Sequence, residues 1–303
     1  MIVISFLTLT LLLALIALQA LWRSLRALPY PDWTRLLLAL SLSVFVYLYG
    51  AWIYISAYGK YAFALSVLGF TAFILLSRKR GKNSRSGPGP RIRDLVISAI
   101  LLTTDVLYFT GTAGSTSYAR LSFPLKPGRY FVLQGGKGLP ANIFHYNSRR
   151  SVYAMDLVAL DERGRRSSMV FSSELREYFI FGDTVYAPCD GEVERAVSDN
   201  PDNIPPRRKR GPHNLNGVLI RGAAYTVYLG HLRQAGVFVR AGQAVNAGQA
   251  IGLVGNSGMS LEPHLHIQVH ANSMDGRPWY EQAQLPIRFF DKEYLLFEEI
   301  DVP

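Results

Sequence analysis

Four long stretches with almost no charge occupy the first 113 residues, and they constrain the fold more than any other feature of the chain. They cover residues 2–22, 36–58, 61–77 and 95–112, and only Asp105 interrupts the last one. The hydrocarbon core of a membrane, about 30 Å thick, is crossed by about 17–25 helical residues, so each stretch is long enough to span it. Helices that are apolar on every face have no side for water. We therefore predict a membrane α-helical N-terminal region, residues 1–113, with about four spans.

Basic residues in the loops between these stretches predict their orientation. The loop at 78–93 holds seven basic residues and no acidic one, whereas the loop between the second and third stretches holds only Lys60. Short basic loops stay on the cytoplasmic side of a membrane. We expect a basic cytoplasmic loop at 78–93, with the N-terminus and all residues after Thr112 on the opposite side.

The overall charge of +10 arises largely from these loops, so it does not indicate a nucleic-acid partner. A secretory signal peptide has a positively charged segment before its apolar run. In this chain Arg23 follows the first apolar run. We therefore expect this run to be retained as a membrane span.

Short β-rich segments dominate from Tyr118 onward. Residues 130–133, 152–160, 217–220 and 225–229 are examples, and Gly, Pro, Asn and Asp separate them. This pattern is typical of an antiparallel sheet protein. We predict a mainly-β C-terminal domain over residues 118–303. Segments 185–193 and 245–254 look like the hairpins of a biotinyl/lipoyl-type sandwich, but no lysine between positions 210 and 291 could carry a prosthetic group.

A His-x-His pair, His264 and His266, lies in an apolar alternating run. Side chains two residues apart on a strand share a face, so the two imidazoles should point the same way. Such a pair suits a metal ligand beside a proton-transfer group. The chain has one cysteine, Cys189, so it can form neither an intrachain disulfide nor a zinc cluster of several thiolates.

Three further residues are candidates for the same site. Asp156 lies in an almost wholly apolar segment, where an ionised carboxylate needs a counter-charge or a metal. Its alternative partner is an arginine, from Arg149, Arg150 or the arginines at 163, 165 and 166. His145 precedes Asp156, and His231 follows a predicted strand, where it could equally be a surface residue.

The two remaining histidines are expected outside the site. His270 shares the strand face of His266 at a distance, and we predict a rim or surface position for it. His213 follows a basic, proline-rich insertion at 203–212. That insertion is expected to be a surface loop, with contact to anionic polymers or lipid headgroups as the alternative.

Five segments in order form a recognisable pattern: His145 with 154–156, then 187–191, 230–232, 252–258 and 263–266. Together they resemble the lysostaphin/LytM-type zinc metallopeptidases, which cut peptide bonds of bacterial cell-wall peptidoglycan. The resemblance covers about residues 121–295. It implies an antiparallel β-sheet sandwich of the duplicated hybrid motif type.

The resemblance also implies roles for the candidate residues. His145, Asp156 and His266 would bind Zn²⁺, and His231 and His264 would be catalytic. Two histidines and one carboxylate leave the fourth tetrahedral position of a catalytic zinc ion to water. Histidines near it can transfer protons and stabilise a developing oxyanion.

One departure from the family concerns spacing. Many members place the first histidine and the aspartate four residues apart, whereas His145 and Asp156 are eleven apart. A longer hairpin with residues 147–150 as its turn would reconcile the two. Some relatives lose ligands and only activate other wall hydrolases, but all five positions are filled here.

The sequence thus predicts a membrane-anchored zinc metallo-endopeptidase that hydrolyses peptide bonds of peptidoglycan. Its location would be the bacterial inner membrane, as a multi-pass protein with the catalytic domain on the periplasmic side. The alternatives are a catalytically silent peptidoglycan-binding regulator and a peptidase for a protein substrate near the membrane. Expected partners are the peptidoglycan peptide and the membrane, with no nucleic acid and an unidentified regulatory protein. Asp105 is either functional or hydrogen-bonded to Thr103, Thr104 or a tyrosine of a neighbouring span.

Overall fold

The computed structural model describes residues 2–25, 32–76, 89–114, 117–207, 214–273 and 275–303. It divides into two compact units, Met1–Leu107 and Tyr108–Pro303. Most of the predicted cytoplasmic loop at 78–93 lies outside the described residues, as do His213 and the end of the 203–212 insertion.

The N-terminal unit is helical. Its helices are α1 (Ile2–Leu25), α2 (Trp33–Tyr49), α3 (Gly59–Leu76) and α4 (Ile92–Thr110), the last of which crosses the boundary between the two units. Asp32 caps α2, because its carboxylate accepts a hydrogen bond from the backbone N–H of Arg35. Ala14 and Ala17 of α1 pack in one buried cluster with Leu42 and Val46 of α2.

The expectation of about four spans is not met on length and composition. Among the described helices one, Val3–Leu25, is long and apolar enough to cross a membrane. The second predicted span breaks at Gly50, where the Trp52 indole folds back to donate to the Val46 carbonyl and a Cβ would overlap both groups. The apolar part of α3 is shorter, and α4 carries Arg93, Asp94 and Asp105.

Large apolar side chains nevertheless point outward from all four helices of this unit, including Leu15 of α1 (63% exposed) and Leu68 of α3 (66% exposed). Polar side chains are buried instead. Both carboxylate oxygens of Asp105 are buried without a hydrogen-bond partner among the described residues. The predicted bond to Thr103 or Thr104 is wrong, because those hydroxyls donate to helix carbonyls one turn earlier.

The C-terminal unit is mainly β, as predicted. Its elements are β1 (Ala119–Arg120), β2 (Gly128–Gln134), α5 (Ile143–Tyr146), β3 (Met155–Ala159), β4 (Thr184–Tyr186), β5 (Gly191–Val197), β6 (Gly217–Arg221), β7 (Tyr225–Gly230), β8 (Leu232–Val237), β9 (Ala244–Val245), β10 (Ala250–Val254), β11 (Leu265–Ala271), β12 (Ile287–Arg288) and β13 (Glu299–Val302).

One antiparallel sheet of eight strands dominates this unit, in the order β13-β2-β3-β11-β7-β6-β5-β9. A smaller antiparallel sheet has the order β4-β10-β8, and β1 pairs with β12 in parallel. The prediction of antiparallel sheets is confirmed for this unit. The finer assignment to a duplicated hybrid motif stays a prediction.

The two faces of β11 carry different kinds of side chain. Leu265, Ile267 and Val269 enter the hydrophobic core, where each fully buried Leu or Ile side chain contributes about 1.5–3 kcal/mol. The alternate residues, His266, Gln268 and His270, lie on the opposite face and are buried as well. Buried polar side chains therefore share one face of the central strand of the sheet.

Candidate metal and proton-transfer site

Asp156 and His266 are brought together by strand pairing. They are direct partners in the antiparallel β3–β11 ladder, where side chains of opposed residues lie on the same face. His266 Nδ1 lies 2.9 Å from Asp156 Oδ1. The sheet thus joins two residues that are 110 positions apart in sequence.

His145 reaches Asp156 from α5. Its Nε2 lies 3.3 Å from Asp156 Oδ2, and its Nδ1 lies 2.9 Å from Asn142 Oδ1. The Asn142 amide donates to the carbonyls of Val152 and Ala154, so its oxygen faces the imidazole and accepts from Nδ1–H. The ring is therefore held with Nε2 toward the carboxylate.

The hairpin predicted between His145 and Asp156 is wrong. His145 lies on a helical turn, and the following loop returns the chain to β3. Gln284 secures this loop by accepting from the Val152 N–H and donating to the Arg149 carbonyl. A helical turn and a secured loop fill the eleven-residue spacing.

His145, Asp156 and His266 form a group whose ligand atoms all lie within 4.8 Å of one another. Burial by itself raises the pKa of Asp156, but the facing His145 and His264 and the hydrogen bonds from His145 and His266 hold it well below its usual value. Burial lowers the pKa of His266, and the adjacent Asp156 outweighs that effect and raises it. The carboxylate is therefore ionised, as metal coordination requires.

His264 lies just before β11, beside this group. Its Nδ1 is 2.8 Å from the carbonyl oxygen of Glu262, which only accepts, so Nδ1 carries the proton. Its Nε2 points toward Asp156 and lies 3.6 Å from Oδ1.

His231 occupies the corner where β7 leaves the large sheet and β8 enters the small one. Its φ of 62° is in the left-handed region, which non-glycine residues seldom adopt outside functional or turn positions. Nδ1 lies 2.7 Å from the Ser257 carbonyl, so it donates there. The ring centroid is 4.5 Å from that of His264, and burial together with His264 and His266 holds the pKa of His231 well below its usual value.

Arg165 and Arg166 were alternative partners for Asp156, but both pair with other carboxylates. Arg165 forms a salt bridge with Asp161. Arg166 forms a buried bidentate salt bridge with Glu262, in which both hydrogen bonds are 2.8 Å long. The second pair fixes the residue whose carbonyl holds His264, so the arginine supports the site indirectly.

The predicted rim or surface position of His270 is wrong. His270 is fully buried, with 1% of its surface exposed. Its Nδ1 lies 3.1 Å from the Gln282 carbonyl, and burial lowers its pKa despite that contact. Residues 279–284 cover this end of β11, which the sequence analysis expected to be exposed. The Trp279 and His270 rings pack edge to face, with their centroids 5.1 Å apart.

Sequence reasoning also missed Asn142, Gln268 and Tyr228. Gln268 Oε1 lies 3.0 Å from His266 Nε2, and the Tyr228 ring lies beside His266 and stacks on Trp279 at 5.5 Å. Period-two alternation from His266 could have identified Gln268. Nothing local marked Asn142, because its contacts depend on the loop that folds over the sheet.

Comparison with known proteins supports a peptidase domain. Residues 179–278 match the model of "Peptidase family M23", a segment that contains His231, His264 and His266 but not His145 or Asp156. An "Uncharacterized metalloprotease" of Haemophilus influenzae is 37% identical over 98 residues, which are 32% of this chain and 18% of that protein. The chain thus spans less than a fifth of the length of this relative.

Two solved structures are also similar. The catalytic domain of the prophage-encoded M23 protein EnpA from Enterococcus faecalis is 18% identical, with a TM-score of 0.32 over 52% of this chain and 88% of that one. The catalytic domain of the antimicrobial peptidase lysostaphin from Staphylococcus simulans is 21% identical, with a TM-score of 0.26 over 50% and 84%. The resemblance to lysostaphin/LytM-type peptidases is confirmed for the C-terminal unit, in which residues 179–278 match the M23 family model.

Proposed function

We propose that the chain is a membrane-anchored zinc endopeptidase that hydrolyses peptide bonds of bacterial peptidoglycan. The observation that carries the proposal is the convergence of His145, Asp156 and His266 within 4.8 Å, with two further imidazoles beside them. The M23 match to the segment with His231, His264 and His266 supports the reaction class.

The donor set fits zinc. Two imidazole nitrogens and one ionised carboxylate are the combination found at catalytic zinc sites that retain an open position. His145 would bind through Nε2, because Asn142 occupies its Nδ1, and His266 would bind through Nδ1, because Gln268 occupies its Nε2. Partners of this kind orient metal-binding histidines in known sites.

A zinc ion, when bound, polarises the scissile carbonyl and lowers the pKa of water to about 7. His231 and His264 supply the proton transfers. Each donates Nδ1–H to a main-chain carbonyl and presents Nε2 as a proton acceptor. The low pKa of His231 keeps its Nε2 unprotonated at neutral pH, so it is ready to accept a proton.

The two histidines then act in sequence. Once protonated, an imidazole can donate from Nε2 to the leaving amine, because its Nδ1 stays anchored and the ring does not need to turn. The two ring centroids lie 4.5 Å apart, which is close enough for both imidazoles to act on one bound substrate. A proton that an imidazole accepts from water can thus be delivered to the leaving amine nearby.

Membrane attachment is proposed through α1, the helix long and apolar enough to cross a membrane. We further propose that α2, α3 and α4 lie in the membrane with it, as a multi-pass bundle in the bacterial inner membrane with residues 118–303 on the periplasmic side. Each of the four helices supports this with an outward apolar side chain that suits lipid and not water: Leu15, Leu40, Leu68 and Ile100. A periplasm-active reporter should be active after Pro303 and silent at Gly87, and the reverse pattern would overturn this orientation.

The enzymatic proposal is tested on purified peptidoglycan with the full chain in detergent. We expect release of soluble fragments with new amino groups, loss of that release with a zinc chelator, and recovery when zinc is restored. Peptidoglycan binding without release, with zinc bound, would instead favour the silent regulator. Cleavage of an unrelated protein with no action on peptidoglycan would favour a protein substrate.

A further inference from the structure

Three buried side chains on the site face of β11 form a continuous hydrogen-bonded series. His266 Nε2 lies 3.0 Å from Gln268 Oε1, Gln268 Nε2 lies 3.3 Å from His270 Nε2, and His270 Nδ1 lies 3.1 Å from the Gln282 carbonyl oxygen. The series runs from a proposed zinc ligand to the main chain of the segment that covers the strand.

The Gln282 carbonyl at the far end favours one direction for the bonds of the series, beside the Arg150 carbonyl that also contacts His270. A carbonyl oxygen only accepts, so His270 carries its proton on Nδ1 and, as a neutral ring, has a lone pair on Nε2. That lone pair must receive a donor, so the Gln268 NH₂ group faces His270. The Gln268 oxygen then faces His266, which must carry a proton on Nε2.

A second contact favours the same orientation of the Gln268 amide. The Gln268 NH₂ group also lies 3.5 Å from the Arg150 carbonyl oxygen, another group that only accepts. With the amide reversed, its nitrogen would face His266 Nε2 and its oxygen would face the His270 lone pair and this carbonyl. Two repulsive contacts would result, and buried polar groups left without partners are costly.

We propose that Gln268 and His270 are positioning residues that fix the tautomer of His266, so that His266 Nδ1 offers its lone pair to the metal ion. The inference rests on the proposed function, because it requires His266 to be a zinc ligand. Neither residue touches the proposed zinc position, and both act through the ring they orient. Loss of such partners lowers metal affinity about 10–100-fold in known sites.

The test measures zinc affinity of the full chain in detergent by competition with a chromophoric chelator. Gln268→Met keeps the volume but removes both polar ends, and we expect affinity to fall about 10–100-fold. Gln268→Glu keeps an oxygen acceptor toward His266, although its second oxygen faces the Arg150 carbonyl, so its affinity should fall by less than that of Gln268→Met. His270→Phe keeps a ring but leaves only the Arg150 carbonyl to orient the amide, so an intermediate loss is expected.

Thr226→Val is the matched control. Thr226 is the β7 partner of His270, it is buried, and its hydroxyl donates to Asn272 at 2.7 Å, outside the series. It removes one buried hydrogen bond from the same sheet face, and zinc affinity should not change. Thermal unfolding of each metal-free variant verifies folding, and if Gln268→Met does not fold, His270→Phe compared with Gln268→Glu decides.

Two results would overturn the inference while leaving the proposed function intact. One is zinc binding by Gln268→Met as tight as in the unchanged chain. The other is equal weakening in Gln268→Glu and Gln268→Met, which would mean that packing alone matters. Absence of zinc binding by the unchanged chain would instead overturn the proposed function together with the inference.

Discussion

The two units of this chain place apolar and polar side chains in opposite ways. In the helical unit, leucines such as Leu15 and Leu68 point outward, while Ser24 and Ser98 are buried. In the β unit, Leu157 and Ile267 fill the core, and the exposed positions of β5 are polar: Glu192, Glu194 and Arg195. The difference fits two surroundings, lipid for the first unit as proposed and water for the second, because exposed side chains follow the polarity of what they meet.

Both units bury aspartates, and Asp156 and Asp105 have different neighbours. Asp156 of the β unit faces three imidazoles, whereas the oxygens of Asp105 have no hydrogen-bond partner among the described residues. Burial alone therefore does not define a site. The groups that converge on a carboxylate decide whether it can serve chemistry.

The sharpest test of this comparison exchanges each aspartate for alanine. Asp156→Ala removes a proposed zinc ligand, so zinc binding and peptidoglycan hydrolysis should both be lost to the level of a buffer control. Asp105→Ala removes a carboxylate that has no hydrogen-bond partner in the described part of the chain, and it should leave both unchanged. Elemental analysis of the purified chains and an amine-release assay check the pair, and zinc at full occupancy in Asp156→Ala would show the ligand set to be wrong.

The proton-transfer roles predict a different outcome within the same site. His231→Ala or His264→Ala should keep zinc bound and reduce turnover about 10²–10⁴-fold, the range for loss of a general acid or base. Hydrolysis rates and zinc content are measured on the same preparations. Loss of zinc in His264→Ala would make that residue a ligand, and unchanged hydrolysis in both variants would contradict the assignment.

An ion pair from each unit should contribute differently to the free energy of unfolding. Arg166 and Glu262 of the β unit are both buried, so Glu262→Gln leaves an uncompensated charge and should cost about 3–5 kcal/mol of unfolding free energy. Asp32 pairs with the half-exposed Arg91, and Asp32→Asn keeps a capping side chain, so a loss of about 0–1 kcal/mol is expected. Thermal and denaturant unfolding in detergent measure both, and equal losses would contradict the comparison.

The smallest effect concerns two exposed apolar residues in different surroundings. Leu15→Arg places a charge on the outward face of α1 and should disfavour membrane insertion by about 2.5–3.5 kcal/mol. Met169→Arg changes a side chain of similar exposure, 60%, in the β unit and should alter stability by no more than about 0.5 kcal/mol. Membrane fractionation and an insertion assay separate them, and full insertion of Leu15→Arg would argue against lipid around α1.

Local patterns predicted much of this molecule. Uncharged stretches marked the helices, and period-two alternation marked the strands and placed His264 beside His266. The number of membrane-crossing helices could not be read in the same way. The stop of α2 at Gly50 depends on the Trp52 indole returning to the Val46 carbonyl, a contact made only after the chain turns.

The sequence by itself determined the kinds of donor groups available and the shared face of the histidine pair, because strand geometry repeats every two residues. Tertiary structure decided which groups meet. Pairing of β3 with β11 sets Asp156 against His266, and the helical turn of α5 replaces the expected hairpin. The covering segment 279–284 buries His270 and gives it a carbonyl partner. Such contacts join residues far apart in the chain, so no local pattern encodes them.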